Sequence, residues 1–360
     1  MPRGYRGRRA RAAHGKTLSA AAGRPGDLRA PPVRRVDCQA VTRSFVAGGA
    51  GFVGSHLTRA LLQRPDDEVV VYDSLVSGSE AHLAGVLGDP RLRLVVADLQ
   101  DLDRVTEEMA GVDHVYLFAA NPDIAAAVQD PGIDFWQGTY LTHNVIEALR
   151  INAVPRITYA SGSGVYGDRG VEEVDEEFGP LIPVSTYGAS KLACESMLAA
   201  YAHMFGIDAV VFRFANVVGP RQTHGVTYDF VRRLLEDPTQ LRILGDGSQS
   251  KSYIHVSDVV AAMLTLTDHG WRGFDVFNAG TGDYVTVTEI ADLVVHRLGL
   301  EDVAYEYAGG TRGWKGDVPI VRFRSDKLER LGWRCGHSSA EALIDSIDAN
   351  IAEAQGAARR

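Results

Sequence analysis

Positions 44–57 of the chain carry the sequence Ser-Phe-Val-Ala-Gly-Gly-Ala-Gly-Phe-Val-Gly-Ser-His-Leu. The first four residues predict a short buried strand, and the apolar spacing after the glycines predicts a helix. A glycine turn between a strand and a helix is the context of a dinucleotide fingerprint, because backbone N–H groups at the helix start can approach a pyrophosphate. We therefore place Gly48, Gly51, Phe52, Val53 and Gly54 in a dinucleotide-binding site.

The segments after this turn alternate between strand-like and helix-like patterns. Five further strands are predicted, at residues 69–72, 92–97, 115–118, 157–160 and 209–214. Strands that alternate with helices form a parallel, doubly wound sheet, which binds ligands at the carboxyl ends of its strands. The predicted fold class is therefore α/β, with a doubly wound Rossmann sheet and a smaller mixed α/β C-terminal substrate domain.

The regular alternation of strand-like and helix-like segments gives way to a mixed pattern near Asn216. This change indicates where the chain is divided into domains. We assign residues 44–215 to a dinucleotide-binding domain and residues 216–350 to a substrate-binding region. A segment near 253–268 is expected to return to the first domain. Residues 1–43 are predicted to form a disordered basic extension.

The formal net charge of −9 hides an uneven distribution. Residues 1–43 hold eleven Arg and Lys residues against two Asp, a net +9, so the remaining residues carry −18. An acidic body argues against nucleic-acid binding, and no apolar run approaches the ~18 residues of a membrane span. The scattered cysteines Cys38, Cys194 and Cys335 indicate neither a disulfide framework nor a metal site, and they fit a reducing cytoplasm.

Four residues at the ends of predicted strands extend the dinucleotide site. Asp73 ends the second predicted strand, nineteen residues after Gly54. A carboxylate there accepts hydrogen bonds from the ribose hydroxyls of adenosine and repels a 2′-phosphate, so NAD is favoured over NADP. Asp98, with Leu99, follows the third strand and is a candidate for the adenine edge, and Ala119 follows the fourth.

A second motif lies at residues 185–191, Ser-Thr-Tyr-Gly-Ala-Ser-Lys. Ser185 and Thr186 can cap a helix, and the apolar residues that follow recur at helical spacing. Tyr187 and Lys191 are one turn apart and share a face. A neighbouring ammonium lowers the pKa of a tyrosine from its usual value of about 10, so Tyr187 is predicted to act as a base.

Together these motifs resemble the extended short-chain dehydrogenase/reductase family. Within it, the nearest branch is the NAD-dependent nucleotide-sugar epimerases and dehydratases, and the resemblance covers roughly residues 44–335. The motifs that carry it are Gly48-x-x-Gly51-x-x-Gly54, Asp73, Asp98-Leu99, Val165-Tyr166-Gly167, Tyr187-x-x-x-Lys191, Asn216-x-x-Gly219-Pro220, residues 244–256, Phe277-Asn278-Ala279-Gly280 and residues 312–319.

The resemblance implies roles for several residues. In such enzymes the tyrosine, here Tyr187, removes a hydroxyl proton while hydride leaves the same carbon for the nicotinamide. The lysine, here Lys191, holds the nicotinamide ribose. An asparagine after the sixth strand contacts the substrate diphosphate, which matches Asn216. Basic residues beyond it are also used, and we assign Arg221, Lys251 and Arg312 to substrate binding.

The resemblance further implies a homodimer. Family members often pair through the helix that carries the Tyr–Lys motif and the helix before the fifth strand. These are residues 186–205 and 136–151 here. The apolar residues assigned to the pairing faces are Ala199, Ala200, Met204, Tyr140, Val145, Ile146 and Leu149.

Two positions depart from the family pattern. A Ser or Thr that orients the reacting hydroxyl usually stands four residues before Tyr166, where this chain has Gly162. A common asparagine in the helix after the fourth strand is replaced by Gly138. We expect Ser163 to take over the orienting role, with Ser161 as its rival.

Three functions remain open from the sequence. The first is a 4-epimerase that acts on a UDP-sugar, such as UDP-glucose or UDP-glucuronate, through a transient 4-keto sugar. The second is a nucleotide-sugar dehydratase, although 4,6-dehydratases usually place Asp-Glu where this chain has Ser163-Gly164. The third is a non-catalytic NAD-binding protein, which the changes at Gly162 and Gly138 favour and the Tyr187/Lys191 pair opposes.

Overall fold

The computed structural model describes residues 42–358. All but the last two residues of the predicted basic extension therefore lie outside the described part of the chain. Arg43, which was assigned to that extension, instead begins the first strand. The strands are β1 (Arg43–Ala47), β2 (Glu68–Asp73), β3 (Leu92–Val96), β4 (His114–Leu117), β5 (Arg156–Gly162), β6 (Asp208–Phe214), β7 (Asn216–Val218), β8 (Gln240–Ile243), β9 (Ser250–Lys251), β10 (Tyr253–His255), β11 (Phe274–Ala279), β12 (Val285–Thr286) and β13 (Ala304–Tyr307).

The central element is a seven-stranded parallel sheet in the order β11-β6-β5-β4-β1-β2-β3. This confirms the predicted doubly wound Rossmann sheet. Six of the strands were expected, and β11 is the additional one. The strand order reverses between β1 and β4, and this reversal opens a crevice at the carboxyl ends where ligands bind in such folds.

Two layers of helices cover the sheet, and further helices build the smaller region. The helices are α1 (Phe52–Leu62), α2 (Leu102–Glu108), α3 (Leu141–Ile151), α4 (Thr186–Phe205), α5 (Val226–Glu236), α6 (Val256–His269), α7 (Val287–Leu298), α8 (Asp326–Glu329) and α9 (Ser339–Ala358). One apolar cluster packs α1 and α6 against the sheet, and a second packs α2, α3 and α4 against the other face. The inner strands β1, β2, β4, β5 and β6 are therefore buried from both sides, as their apolar composition requires, whereas the edge strands β3 and β11 are partly exposed.

The chain after β6 builds a smaller, mixed region. β7 pairs in parallel with β10, β8 with β13, and β9 pairs antiparallel with β12. A third apolar cluster holds α5, α7 and α9 together beside these short strands. The helix α6 follows β10 directly and packs on α1, so this segment lies against the central sheet layer.

The predicted dimer face on α3 is partly wrong. Val145, Ile146 and Leu149 are at most 1% exposed, because they pack under the sheet with α2 and α4. Apolar spacing in a helix shows that one face is buried but does not show what covers it. On α4, Met204 is 68% exposed and remains available.

Packing of α1 on the sheet predicts a measurable difference between two leucines. Leu57 is fully buried in the cluster that joins α1 to the sheet, whereas Leu87 is 41% exposed. We expect Leu57→Ala to lower the free energy of unfolding by about 2–5 kcal/mol, because it leaves a cavity. Leu87→Ala is the matched control and should change it by less than about 0.5 kcal/mol. Urea unfolding followed by circular dichroism tests this, and equal losses in both variants would contradict the packing.

Candidate active site

The helix α4 begins where the sequence predicts and presents Tyr187 and Lys191. The Ser185 side chain caps it by accepting a hydrogen bond from Gly188 N at 3.1 Å. Lys191 is buried, and its Nζ donates to the carbonyl of Ala160 at 2.7 Å. The same Nζ lies 5.6 Å from the centre of the Tyr187 ring. The ammonium is thus held at the end of β5, beside the phenol.

A close backbone approach brings this helix against the turn that follows β5. A Cβ atom at Gly188 would lie 2.6 Å from the carbonyl oxygen of Gly164, a distance that real Cβ atoms do not reach. Glycine at this position therefore lets the first turn of α4 sit directly on residues 163–166. As a result, Tyr187 and Ser163 line the same cavity.

A cavity of about 610 Å³ runs along the carboxyl edge of the sheet. Most of the residues proposed from the sequence line it: Gly48, Gly51, Phe52, Val53, Gly54, Asp73, Asp98, Leu99, Ala119, Ser161, Ser163, Tyr187, Lys191, Asn216 and Lys251. Arg221 and Arg312 do not. Within the described residues, no group of three His, Cys, Asp or Glu side chains forms a metal site, and no helix is long and apolar enough to cross a membrane.

The first βα turn forms a narrow cradle at one end of the cavity. A side chain at Gly54 would collide with the carbonyl oxygen of Gly48, so α1 can pack this closely on β1 only with glycine there. Asp73 is 7% exposed, and its carboxylate accepts hydrogen bonds from Ala50 N and Leu75 N, both at 2.9 Å. The carboxylate is thereby fixed at the rim of the turn.

The two serines that flank Gly162 have different surroundings. Ser161 is buried, and its hydroxyl donates to Glu195 Oε1. Ser163 is half-buried at the start of a short 3-10 turn, and it lines the cavity. Between them, Gly162 has an extended backbone, and an added Cβ would meet only Phe214 O, at 4.0 Å. The space beside Gly162 is therefore open to a side chain.

The second departure, Gly138, has a packing explanation. Gly138 lies in a π-helical turn (Phe135–Tyr140) that precedes α3 and packs on α4. A side chain there would collide with Ser190 Oγ, which donates to Asp134 O at 2.8 Å. Ser190 of the Tyr–Lys motif thus occupies the space that a side chain at Gly138 would need.

The basic residues proposed for the substrate are placed unequally. Lys251 lines the cavity, and its Nζ pairs with Asp317 Oδ1 at 2.7 Å. Arg312 instead bonds Asp168, and Arg221 is tied through its backbone N to Glu353. Two residues that sequence reasoning did not select, Trp314 and Asp317, line the cavity beside Lys251.

A buried charge network behind the site was also missed. Arg213 makes a bidentate pair with Glu195, with Nη2 to Oε2 at 2.7 Å, and both side chains are at most 5% exposed. Arg213 also donates to the Tyr166 hydroxyl at 3.0 Å. Burial raises the pKa of Tyr166 to about 12, and its hydroxyl donates to Asn278 at 2.7 Å. A lone arginine inside the apolar strand β6 was the signal that could have predicted a buried acidic partner.

This geometry can be compared with known proteins. A profile of the NAD-dependent epimerase/dehydratase family matches residues 44–280. The chain belongs to this family. The UDP-glucose 4-epimerase of Mycolicibacterium smegmatis is 31% identical over 85% of this chain and 97% of its own length.

Two solved structures from the family show the same fold. A UDP-galactose 4-epimerase is 38% identical, with a TM-score of 0.77, covering 87% of this chain and 99% of its own. The dTDP-glucose 4,6-dehydratase DesIV of Streptomyces venezuelae, solved with NAD bound, is 30% identical, with a TM-score of 0.80, covering 88% and 98%. Family and fold therefore agree, while the reactions of these two relatives differ.

The cofactor of the family is NAD, and the residues at the cradle fit it. The turn at Gly48–Gly54 leaves backbone space for a pyrophosphate at the start of α1. The fixed carboxylate of Asp73 suits ribose hydroxyls and disfavours a 2′-phosphate. The residues that would hold the nicotinamide half, Tyr187 and Lys191, line the same cavity.

Removing the charge of Asp73 should reduce the preference for NAD over NADP. Asp73→Asn keeps the size of the side chain but removes the charge that repels a 2′-phosphate. We expect the ratio of NADP to NAD dissociation constants to fall about tenfold or more, a change of about 1.4 kcal/mol. Calorimetric titration with both cofactors measures it, with Asp103→Asn on the exposed face of α2 as control. An unchanged ratio in Asp73→Asn would mean that its charge does not select the cofactor.

Proposed function

We propose that this protein is an NAD-dependent 4-epimerase of a UDP-sugar, acting through a transient 4-keto sugar. The observation that carries the proposal is the set of acidic residues in the cavity. Among the residues that the structure describes, these are Asp73, Asp98 and Asp317. The first two belong to the cofactor half and the third is paired with Lys251. The reacting end therefore offers Tyr187 as a base but no carboxylic acid for the elimination of water.

In this proposal Tyr187 takes the proton from the C4 hydroxyl and later returns it. Bound NAD supplies the hydride acceptor and donor. Lys191, whose Nζ donates to Ala160 O and lies 5.6 Å from the centre of the Tyr187 ring, is assigned to the nicotinamide ribose. Ser163 orients the hydroxyl, since Ser161 is engaged by Glu195. Rotation of the keto sugar in the cavity then exposes its other face to the returning hydride.

The nucleotide end of the substrate is assigned to Asn216 and Lys251. Asn216 begins β7 beside the sheet edge, and Lys251 ends β9, so both come from the short strands of the smaller region. A lysine ammonium and an asparagine amide can both donate to diphosphate oxygens. The choice of a UDP-sugar is supported by the epimerases among the relatives.

A dehydratase is the second candidate, because DesIV has the higher TM-score of the two structures compared. The residues before Val165-Tyr166 argue against it. An elimination needs an acid and a base near C5 and C6 of the sugar. Ser163 and Gly164 supply neither a carboxylate nor another strong base.

The reaction is tested by product identification. NAD-loaded protein is incubated with UDP-glucose, UDP-N-acetylglucosamine, UDP-glucuronate and dTDP-glucose, and the products are read by NMR. We expect the C4 epimer of at least one UDP-sugar, with no reaction in Tyr187→Phe. A new methyl signal from a 4-keto-6-deoxy sugar would instead establish the dehydratase.

The orienting role of Ser163 gives a separate prediction. Ser163→Ala should lower turnover roughly 10²–10³-fold, because it removes one hydrogen bond to the transition state. Gly162 has room for a side chain, so adding Gly162→Ser to this variant should restore much of the loss. Ser161→Ala should mainly lower thermal stability, since it leaves Glu195 short of a donor. Full turnover in Ser163→Ala, with a large loss in Ser161→Ala, would show that Ser161 orients the substrate.

We further propose that the protein forms a homodimer through α4 and the π-helical turn before α3. Exposed apolar side chains remain there after the correction above: Phe135, Trp136 and Met204 are each more than half exposed. Light scattering at micromolar concentration should give a dimer. Met204→Glu should shift it toward monomer, while Leu235→Glu on α5, which is 46% exposed, should not. A monomeric native protein would contradict the proposal.

A further inference from the structure

A clasp of ionic and hydrogen bonds holds the segment 312–317 over the cavity. Arg312 donates from Nη2 to Asp168 Oδ2 and from Nη1 to the carbonyl of Asp317, both at 2.5 Å. The Asp317 carboxylate accepts from Gly313 N at 3.0 Å and pairs with Lys251. Asp168 follows the β5 turn, so the clasp ties this late segment to the loop next to the reacting end.

The clasp determines which side chain of the segment enters the cavity. Arg312 is occupied by Asp168 and does not line the cavity, whereas Trp314 does. The Trp314 ring lies against Gly316 and near Ser185, because a Cβ at Gly316 would come to 3.1 Å from Trp314 Cζ3 and 3.4 Å from Ser185 Cβ. Ser185 caps the helix that carries Tyr187. The indole therefore lies close to the N-terminal cap of the helix that carries Tyr187.

The hydrogen-bonding capacity of this indole is also available. Among the hydrogen bonds of residues 42–358, none is made by Trp314 Nε1, whereas Trp333 Nε1 donates to the carbonyl of Asp258. An indole offers a large apolar face together with one N–H donor. A pyranose ring has the complementary character, with C–H groups on its face and hydroxyls at its edge. Aromatic walls with few polar groups are typical of sites for such ligands.

We propose that Trp314 is a substrate-contacting residue that covers the sugar ring of the nucleotide sugar, and that Arg312 is a positioning residue that holds it there. The inference rests on the proposed nucleotide-sugar substrate. It replaces the assignment of Arg312 to direct substrate binding. The sugar is chosen over the base because Trp314 is adjacent to the cap of the Tyr187 helix, where the sugar must react.

Binding measurements separate the sugar from the nucleotide. Calorimetry uses the NAD-loaded full chain carrying Tyr187→Phe, which prevents turnover, with UDP-glucose and with UDP as probes. Trp314→Ala should lower the affinity for UDP-glucose about tenfold or more and change the affinity for UDP by less than about twofold. Trp314→Phe should retain most of the affinity, since a phenyl ring keeps an apolar face. Phe274→Ala, at the exposed start of β11 and outside the cavity, is the control and should change neither.

Arg312 is tested in a double-mutant cycle. If Arg312 is a positioning residue, Arg312→Ala should lower the affinity for UDP-glucose but not the affinity for UDP. Adding Trp314→Ala should then cause little further loss of UDP-glucose affinity. If Arg312 instead bound the diphosphate directly, Arg312→Ala would lower the affinity for both UDP-glucose and UDP. This loss of binding free energy would add to the loss caused by Trp314→Ala. That additive result would overturn the positioning role.

Tryptophan fluorescence gives a readout that does not depend on stability. All four tryptophans lie in the described part of the chain, and Trp314 alone of them lines the cavity. UDP-glucose should quench emission in the parent and in Trp271→Phe, which lies outside the cavity, but not in Trp314→Phe. Equal quenching in Trp314→Phe, or equal UDP-glucose affinity in Trp314→Ala, overturns this inference alone. If none of the four nucleotide sugars of the activity test binds the parent protein, the proposed function falls and the inference with it.

Discussion

The ion pair between Glu195 and Arg213 is the contact on which the geometry of the site depends. It joins the helix of Tyr187 to β6, holds the hydroxyl of Ser161 at the end of β5 and, through Tyr166, reaches Asn278 on β11. Two charges buried together cost desolvation, and removing one partner typically costs 3–5 kcal/mol. The pair therefore fixes the position of α4 against the sheet more than it adds net stability. Any shift of α4 would leave one of the two buried charges unpaired.

Most of the fold was predictable because its signals are local. The glycines after β1, the acid at the end of β2 and the four-residue spacing of Tyr187 and Lys191 each lie within one turn or one strand. Such patterns are fixed by backbone sterics and helix periodicity. Because the carboxyl ends of parallel strands lie at the same edge of the sheet, these residues come together there, and all of them line one cavity.

Residues whose role depends on partners distant in sequence are the ones that the sequence describes least well. Arg312 looked like a phosphate ligand because of its charge, yet Asp168, which is 144 residues earlier, engages it. Val145 and Leu149 looked available for a partner subunit, yet the same apolar character is satisfied by the sheet. Charge and hydropathy identify what a side chain needs, but only the tertiary structure identifies which of several neighbours meets that need.

The position of β11 has a consequence for how the chain is synthesised and folded. The other six strands of the sheet emerge from the ribosome before residues 215–273, whereas β11 follows them and pairs with β6. The edge of β6 thus stays open until much of the smaller region has been made. Contacts of large sequence separation form slowly, and an open strand edge invites wrong pairing. The seven-stranded sheet can therefore be completed only after much of the smaller region has been synthesised, which couples the folding of the two during translation.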